Sequence, residues 1–326
     1  MPKKALLVSH QLDYSGAPVA LFEFAKVLIS KDWSVDIFSL HGKGALLEDF
    51  ESIGINLITE PILEIQYQHY ELVLFNTVVT TPLIPNIKPK KATWLLWIHE
   101  SPYLAGFAWS PLVNMKRLTN IDLLIFPSNA CKNEWHGLIN TCQSIILPSP
   151  VDIPKNIIQL SKNHKNIYKT FCVIDPREGY RNINLIEDEI INYDQEAIFN
   201  FVGTELPPKD ILLKIRSKKN IEVNYLGRVS RQQALETLAK SDIYLSATLM
   251  ATQNRGLCEA IAMNKKIYIS SIKAHVEIGE KANLPIDCFF RPLEKIDFKK
   301  GYCDQIYDLN FLKIDVFTNL IEKVLP

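Results

Sequence analysis

Lys4-Ala5-Leu6-Leu7-Val8-Ser9, followed by the loop His10-Gln11-Leu12-Asp13-Tyr14-Ser15-Gly16 and then by Ala17-Pro18 and a helical run to Ser30, is the stretch that decides the fold. An apolar run this short and continuous reads as a strand covered on both faces, as in a parallel sheet flanked by helices. The run to Ser30 places Leu21, Phe24, Ala25 and Leu28 on one helical face, so the loop joins a buried strand to an amphipathic helix. The alternation continues through strands at 34–38, 72–75, 93–98, 123–126 and 144–147, with a short helix at 46–50 and one at 130–135 that Ser128 is placed to cap. Pro148-Ser149-Pro150-Val151-Asp152-Ile153-Pro154 and the polar run to Lys169 break the pattern, as a linker does. A second series follows, with strands at 170–174, 197–202, 221–225, 243–246 and 266–270 alternating with helices at 183–191, 209–216, 231–239 and 256–263. The expected class is α/β: two doubly wound parallel-sheet domains in tandem, 1–150 and 151–308, facing a central cleft. In the remaining segment, 309–326, Phe311, Leu312, Val316, Phe317, Leu320 and Ile321 recur at helical spacing, so a terminal helix should pack on a core, back towards the first domain.

Composition agrees. At ~150 residues per domain, 326 residues make about two, and 47% hydrophobic content excludes disorder. Lysine plus arginine and aspartate plus glutamate both number 36, so no global charge draws the chain to nucleic acid. Mean hydropathy is +0.02, yet no apolar run reaches the ~18 residues of a membrane span. Met1-Pro2-Lys3-Lys4 opens no signal peptide, and the chain is expected in the cytoplasm. Cys131, Cys142, Cys172, Cys258, Cys288 and Cys303 are scattered without C-x-x-C, with only His136 near one of them, so neither zinc site nor disulfide framework is expected.

Ligands of such folds gather at the carboxyl ends of the strands. In the first loop Gly16 and Ala17 lack bulk, so helix-start amides can approach a phosphate or sugar hydroxyl, although a lone glycine equally often just relieves a turn. G-x-G-x-x-G is absent, against a dinucleotide cofactor. Trp97-Ile98-His99-Glu100-Ser101-Pro102 ends the most apolar strand with ionisable groups aimed at the expected cleft. His99 could donate a hydrogen bond or shuttle a proton there; the plainer reading is a histidine satisfied by backbone. Glu259, in Arg255-Gly256-Leu257-Cys258-Glu259-Ala260-Ile261-Ala262-Met263, is an acid early in an apolar helix, able to accept two ribose hydroxyls or simply to complement the helix dipole.

Together with Phe75-Asn76-Thr77, Phe126-Pro127-Ser128, Leu226-Gly227-Arg228 and Lys265-Lys266-Ile267-Tyr268-Ile269-Ser270, these loops make the chain similar to the family 4 glycosyltransferases of the GT-B fold, with two Rossmann-like domains, over nearly its whole length. The resemblance implies a retaining, metal-independent transferase that moves a sugar from a nucleotide-diphosphate donor to a glycan or lipid-linked acceptor in cell-surface polysaccharide synthesis, with no cofactor. It places Glu259 on the donor ribose, His99 by the sugar, Gly16 and Ala17 at the diphosphate or acceptor, and Glu100 and Ser101 on the acceptor side. Gln253, Asn254, Arg255, Gly256 and Leu257 fall in the donor loop. No Asp-x-Asp ends a strand to hold a divalent cation.

Three positions depart from that pattern. The family's first donor-site glutamate, eight residues before Glu259, is Ala251, and its diphosphate-binding Arg and Lys fall at Val173 and Glu178. Losing such contacts typically costs ~2.7–4 kcal/mol each in the transition state. Gln253 or Asn254 could take over the sugar contact, and Arg177, Arg181, Arg228 or Arg255 the diphosphate. The alternative is a non-catalytic subunit that partners an active glycosyltransferase. An epimerase or phosphorylase of the same architecture is a third reading, although no lysine sits in a convincing loop for pyridoxal. Lys88, Lys90, Lys91, Trp109, Met115, Lys116 and Arg117 leave peripheral membrane contact open, beside the plainer reading of a solvated loop.

Overall fold

The computed structural model describes all residues except 1, 62–63, 90, 108–112, 140–142, 300–306 and 326, and the side chain of Phe107. Cys142, Cys303, Lys90 and Trp109 therefore lie outside the described residues. The chain divides into two compact units, Met1–Pro150 with Ile314–Pro326, and Val151–Lys313.

In the first unit β1 (Lys4–Ser9), β2 (Ser34–Ser39), β3 (Asn56–Ile58), β4 (Leu72–Asn76), β5 (Thr93–Trp97), β6 (Leu123–Phe126) and β7 (Gln143–Ile146) form a sheet in the order β3-β2-β1-β4-β5-β6-β7. Every neighbouring pair is parallel. The continuous apolar runs are explained by the two faces. Ala5, Leu7, Leu95 and Trp97 enter one buried cluster, and Leu6, Val8, Trp94 and Leu96 enter another on the opposite face. Strand order reverses between β1 and β4, where Ser9 pairs with Asn76 and Asn76 with Trp97, so their loops emerge side by side. The three-residue edge strand β3 was not foreseen, being too short to show a period.

Helix α1 (Gly16–Ser30) covers one face. After it come α2 (Leu47–Ser52), α3 (Pro102–Phe107) and α4 (Asn129–Trp135), the last capped by the Ser128 hydroxyl, which accepts from the Cys131 N–H at 3.0 Å. Among the described residues no α-helix joins β4 to β5; a 3-10 segment, Val78–Leu83, lies between them.

The second unit opens with α5 (Lys155–Asn163), inside the stretch expected to be a linker. Its apolar stripe is narrow, Ile157 buried with Ile158 and Leu160 beside it, which is why composition alone hid it. There follow β8 (Lys169–Ile174), α6 (Ile183–Asn192), β9 (Ala197–Val202), α7 (Lys209–Arg216), β10 (Ile221–Tyr225), α8 (Arg231–Ala239), β11 (Ile243–Ser246), α9 (Arg255–Ala262), β12 (Lys266–Ser270), α10 (Lys273–Ala282) and β13 (Phe289–Phe290). The sheet order is β10-β9-β8-β11-β12-β13, again parallel throughout. Helix α10 and strand β13 are additions to the sequence reading. Helix α11 (Ile314–Glu322) belongs to the first unit, where Phe317 stacks 6.1 Å from Trp97.

Candidate functional site

In the first unit the loops at the switch point are tied together by side chains. The Ser9 hydroxyl donates to the Gln11 carbonyl at 2.7 Å, and the Asp13 carboxylate accepts from Gln11 Nε2 and from the Ser15 N–H, both at 3.0 Å. Gly16 begins α1, and a Cβ placed on it would meet nothing within 4 Å. Packing therefore does not require glycine there. Next to it the Ala17 carbonyl accepts from Asn76 Nδ2 at 3.1 Å, and Asn76 Oδ1 lies 3.0 Å from His99 Nε2. Because the Asn76 amide nitrogen faces a carbonyl, its oxygen must face the ring, which makes His99 Nε2 the protonated nitrogen. Burial, then the nearby His10, pushes the His99 pKa down to about 3, so the ring is neutral at physiological pH. Trp97 holds its face at 4.8 Å between centroids.

His10, which the sequence reading passed over, lies at the same place. Its Nδ1 is 3.2 Å from the Thr77 hydroxyl. Burial lowers its pKa, opposed by the negative Asp13, which raises it, and reinforced by His41, which lowers it. Thr77 has φ 81°, a conformation that a β-branched residue adopts only under constraint, at a cost of order 1–3 kcal/mol. The signal available beforehand was His10 at the end of β1, one register step from Asn76.

Glu100 and Ser101, expected on the acceptor side, are both buried, at 6% and 3% exposure. Glu100 Oε2 accepts the N–H groups of His99 at 3.0 Å and Val78 at 3.2 Å, and the Ser101 hydroxyl accepts the Leu104 N–H at 3.3 Å in the first turn of α3.

In the second unit Glu259 is buried on α9, and its Oε1 accepts from Arg231 Nη1 at 2.9 Å and from Arg255 Nε at 3.0 Å. Arg231 and Arg255 are the first residues of α8 and α9, so both helix starts bring a guanidinium to one carboxylate. Arg231 was missed because only the fold brings α8 beside α9. Asn254 is internal. Its Oδ1 caps α9 at the Leu257 N–H and accepts from the Tyr244 hydroxyl, each at 3.0 Å, while Nδ2 donates to His275 Nε2 at 3.0 Å. His275 Nδ1 donates to the Ser270 carbonyl at 2.8 Å. Asn254 thus caps α9 and links it to the core. Gly256 is required by packing, since a Cβ would come within 2.9 Å of the Tyr244 hydroxyl. The Leu257 side chain is wholly core, leaving only backbone for a ligand. Gln253 lies half-buried, its Nε2 3.9 Å from Cys258 Sγ.

The arginines expected to meet the diphosphate are otherwise engaged, with one exception. Arg177 forks onto Glu187, donating from Nη1 to Oε2 at 2.9 Å and from Nη2 to Oε1, and also reaches Asn184 and the Glu205 carbonyl. The Tyr225 hydroxyl donates to Glu187 as well, at 2.8 Å. Arg181 pairs with buried Asp175 at 3.1 Å and stacks on Tyr180. Val173 is core, and Glu178 points towards Arg181 at 4.0 Å. Arg228, beyond β10, is exposed and pairs with no described residue. In the basic stretch of the first unit Lys88 is bound to Asp122 and Arg117 to Asn86, while Lys91, Met115 and Lys116 are exposed.

Among the described residues no helix is long and apolar enough to cross a membrane, and no cluster of His, Cys, Asp or Glu could hold a metal ion. Cys131, Cys172, Cys258 and Cys288 are buried.

The family model of glycosyl-transferase family 4 matches residues 1–169, just over half of the 326. The chain belongs to glycosyltransferase family 4. No curated protein matches this family 4 chain in sequence. Among solved structures it is similar to HepE of Anabaena in complex with UDP-glucose, with 13% identity, a TM-score of 0.69, and coverage of 98% of this chain and 90% of that one. Sucrose-phosphate synthase of Thermosynechococcus elongatus follows at 12% identity and a TM-score of 0.67, covering 99% and 90%. S. aureus TarM, in a complex that includes UDP, gives 11% identity and 0.65, covering 99% and 92%. At these identities the likeness speaks for the GT-B fold of the family 4 chain.

Proposed function

We propose that this family 4 chain is a retaining, metal-independent glycosyltransferase that takes a nucleotide-diphosphate sugar and passes the sugar to a glycan or lipid-linked acceptor in cell-surface polysaccharide synthesis, working in the cytoplasm or at the inner face of the membrane. One observation carries the reading. The neutral His99 is fixed through Asn76 to Ala17, beside a Gly16 that no neighbouring atom requires. Such a glycine leaves helix-start amides open to a phosphate or hydroxyl. Retention and metal independence rest on the family resemblance.

In the second unit a cationic group surrounds Glu259. Arg231 and Arg255 contact it, and Arg228 stands exposed at the loop that leads into α8. A leaving diphosphate gains charge in the transition state, and preorganised guanidinium groups stabilise that charge. This group, rather than Arg177 or Arg181, is our candidate for the role vacated at Val173 and Glu178. HepE and TarM have been solved with uridine nucleotides, so UDP and UDP-glucose are the first probes.

Isothermal titration with UDP, GDP and their sugars is expected to show binding that EDTA leaves unchanged. Silence across the panel would sink the reading. It would favour the non-catalytic subunit, which draws support from the engagement of Glu259, Arg177 and Arg181 in internal ion pairs. Where a nucleotide binds, Glu259→Gln should weaken it by about tenfold, the equivalent of one charged hydrogen bond at ~1.5 kcal/mol. Unchanged affinity would move the ribose elsewhere.

A further inference from the structure

Glu100 is a buried carboxylate with an unusual task. A single oxygen, Oε2, accepts one N–H from its own loop, that of His99, and one from the neighbouring loop, that of Val78. Val78 directly follows Thr77, the β-branched residue held at φ 81°. Thr77 is itself tied to the Trp97 carbonyl through its N–H at 2.8 Å, and its hydroxyl meets His10. On its other side the Glu100 carbonyl accepts from the Trp135 indole at 2.8 Å, which anchors the residue to α4. Removing the carboxylate would take this acceptor from the Val78 and His99 amides and remove one of the links between the loops after β4 and β5, leaving the Thr77 to Trp97 and Asn76 to His99 bonds. His99 gets its ring orientation from Asn76, at the end of β4, and its backbone from the loop after β5. Its geometry therefore depends on the separation of those two loops.

We propose that Glu100 is a positioning residue whose carboxylate, by bridging the Val78 and His99 amides, locks the loops after β4 and β5 together and so holds His99 as the Nε2–H tautomer against Asn76. The carboxyl itself is pushed up to about 7 by burial, with backbone amide bonds from Val78, His99 and Glu100 itself opposing the shift. That balance marks it as a group retained in an unfavourable place by its partners.

The test uses the full chain with 15N-labelled histidine, the His99 signals being assigned by their loss in His99→Gln. In the unsubstituted protein, long-range 1H–15N correlations should show His99 as one neutral Nε2–H tautomer. Glu100→Ala should shift those resonances towards the averaged pattern of two tautomers, while Glu100→Gln, which keeps an acceptor oxygen, should preserve the original pattern. Should Glu100→Ala not accumulate as folded protein, Glu100→Asp, one methylene short of both amides, gives the same reading. Unchanged His99 signals in a folded Ala or Asp variant overturn the proposal, as does a Gln variant as disturbed as Ala. A second arm rests on the proposed donor. Glu100→Ala should bind UDP-glucose about tenfold more weakly, the loss of one hydrogen bond, and UDP as before. Absence of UDP-glucose binding by the unsubstituted chain would count against the donor assignment, and the tautomer measurement would still decide the role of Glu100.

Discussion

Arg177→Ala is expected to lower the free energy of unfolding by about 3–5 kcal/mol and to leave nucleotide affinity unchanged in the protein that still folds. Glu187 is 1% exposed, and Arg177 supplies it with two donors while Tyr225 supplies a third. Truncating the arginine strands a buried carboxylate, and the penalty is mostly that of leaving the charge uncompensated. The Glu205 carbonyl also loses two N–H donors, from Nε at 3.2 Å and Nη2 at 3.1 Å. Urea denaturation reads the stability, and titration with UDP reads the affinity. A variant as stable as the parent but deficient in nucleotide binding would return Arg177 to the diphosphate and refute its structural assignment. Arg228→Ala should do the reverse. It lies exposed without a described partner, so stability should stay within about 0.5 kcal/mol while affinity for the diphosphate falls.

Acid should destabilise the fold through its buried histidines. His275 is 0% exposed, and burial first, then the positive Arg181, brings its pKa down to about 4, against the opposing pull of the Ser270 carbonyl. From 6.5, the ordinary value, down to about 4 the unfolded chain takes up a proton at this position and the folded chain does not. Stability is therefore lost as pH falls through that window. At 1.36 kcal/mol per pKa unit the contribution of His275 is about 3 kcal/mol. His99, lowered to about 3, acts in the same sense. Glu100, raised to about 7, acts in the opposite one, as does Asp175, which burial raises. Their stabilising effect is present at low pH and disappears as pH rises through the folded-state value. The clean comparison is with His275→Gln, whose stability loss between pH 6.5 and 4 should be smaller than the parent's by about 3 kcal/mol. Parallel stability curves would show that His275 is not held neutral. The chemistry behind the prediction is a network of one sense only: Asn254 must donate to His275 Nε2 because its oxygen already serves Tyr244 and Leu257. A proton on Nε2 would set donor against donor.

Both predictions concern residues whose types were legible in the sequence and whose partners were not. Apolar runs such as Ala5–Val8 and Leu95–Trp97, bounded by turn residues and alternating with amphipathic helices, pointed to a parallel sheet with both faces covered, because consecutive side chains of a strand face opposite sides and crossover helices cover both. The loops at the ends of those strands were legible for the same reason, and with them His99, Gly16 and Glu259 as residues of interest. Helix α5 and strand β3 were not, since a narrow stripe and three residues carry too little period.

Only the tertiary structure decided what each loop side chain does. Arg177 and Arg255 looked equivalent as loop arginines; one closes on Glu187 from α6, and the other shares Glu259 with Arg231 from α8. Asn254 and Glu100 read as ligand contacts, yet they serve internal amides and rings. Periodicity reports which face of an element is buried, a property of neighbours in the chain. A hydrogen bond or ion pair is short-ranged and directional and joins residues tens of positions apart, so its partner is set by how the elements pack.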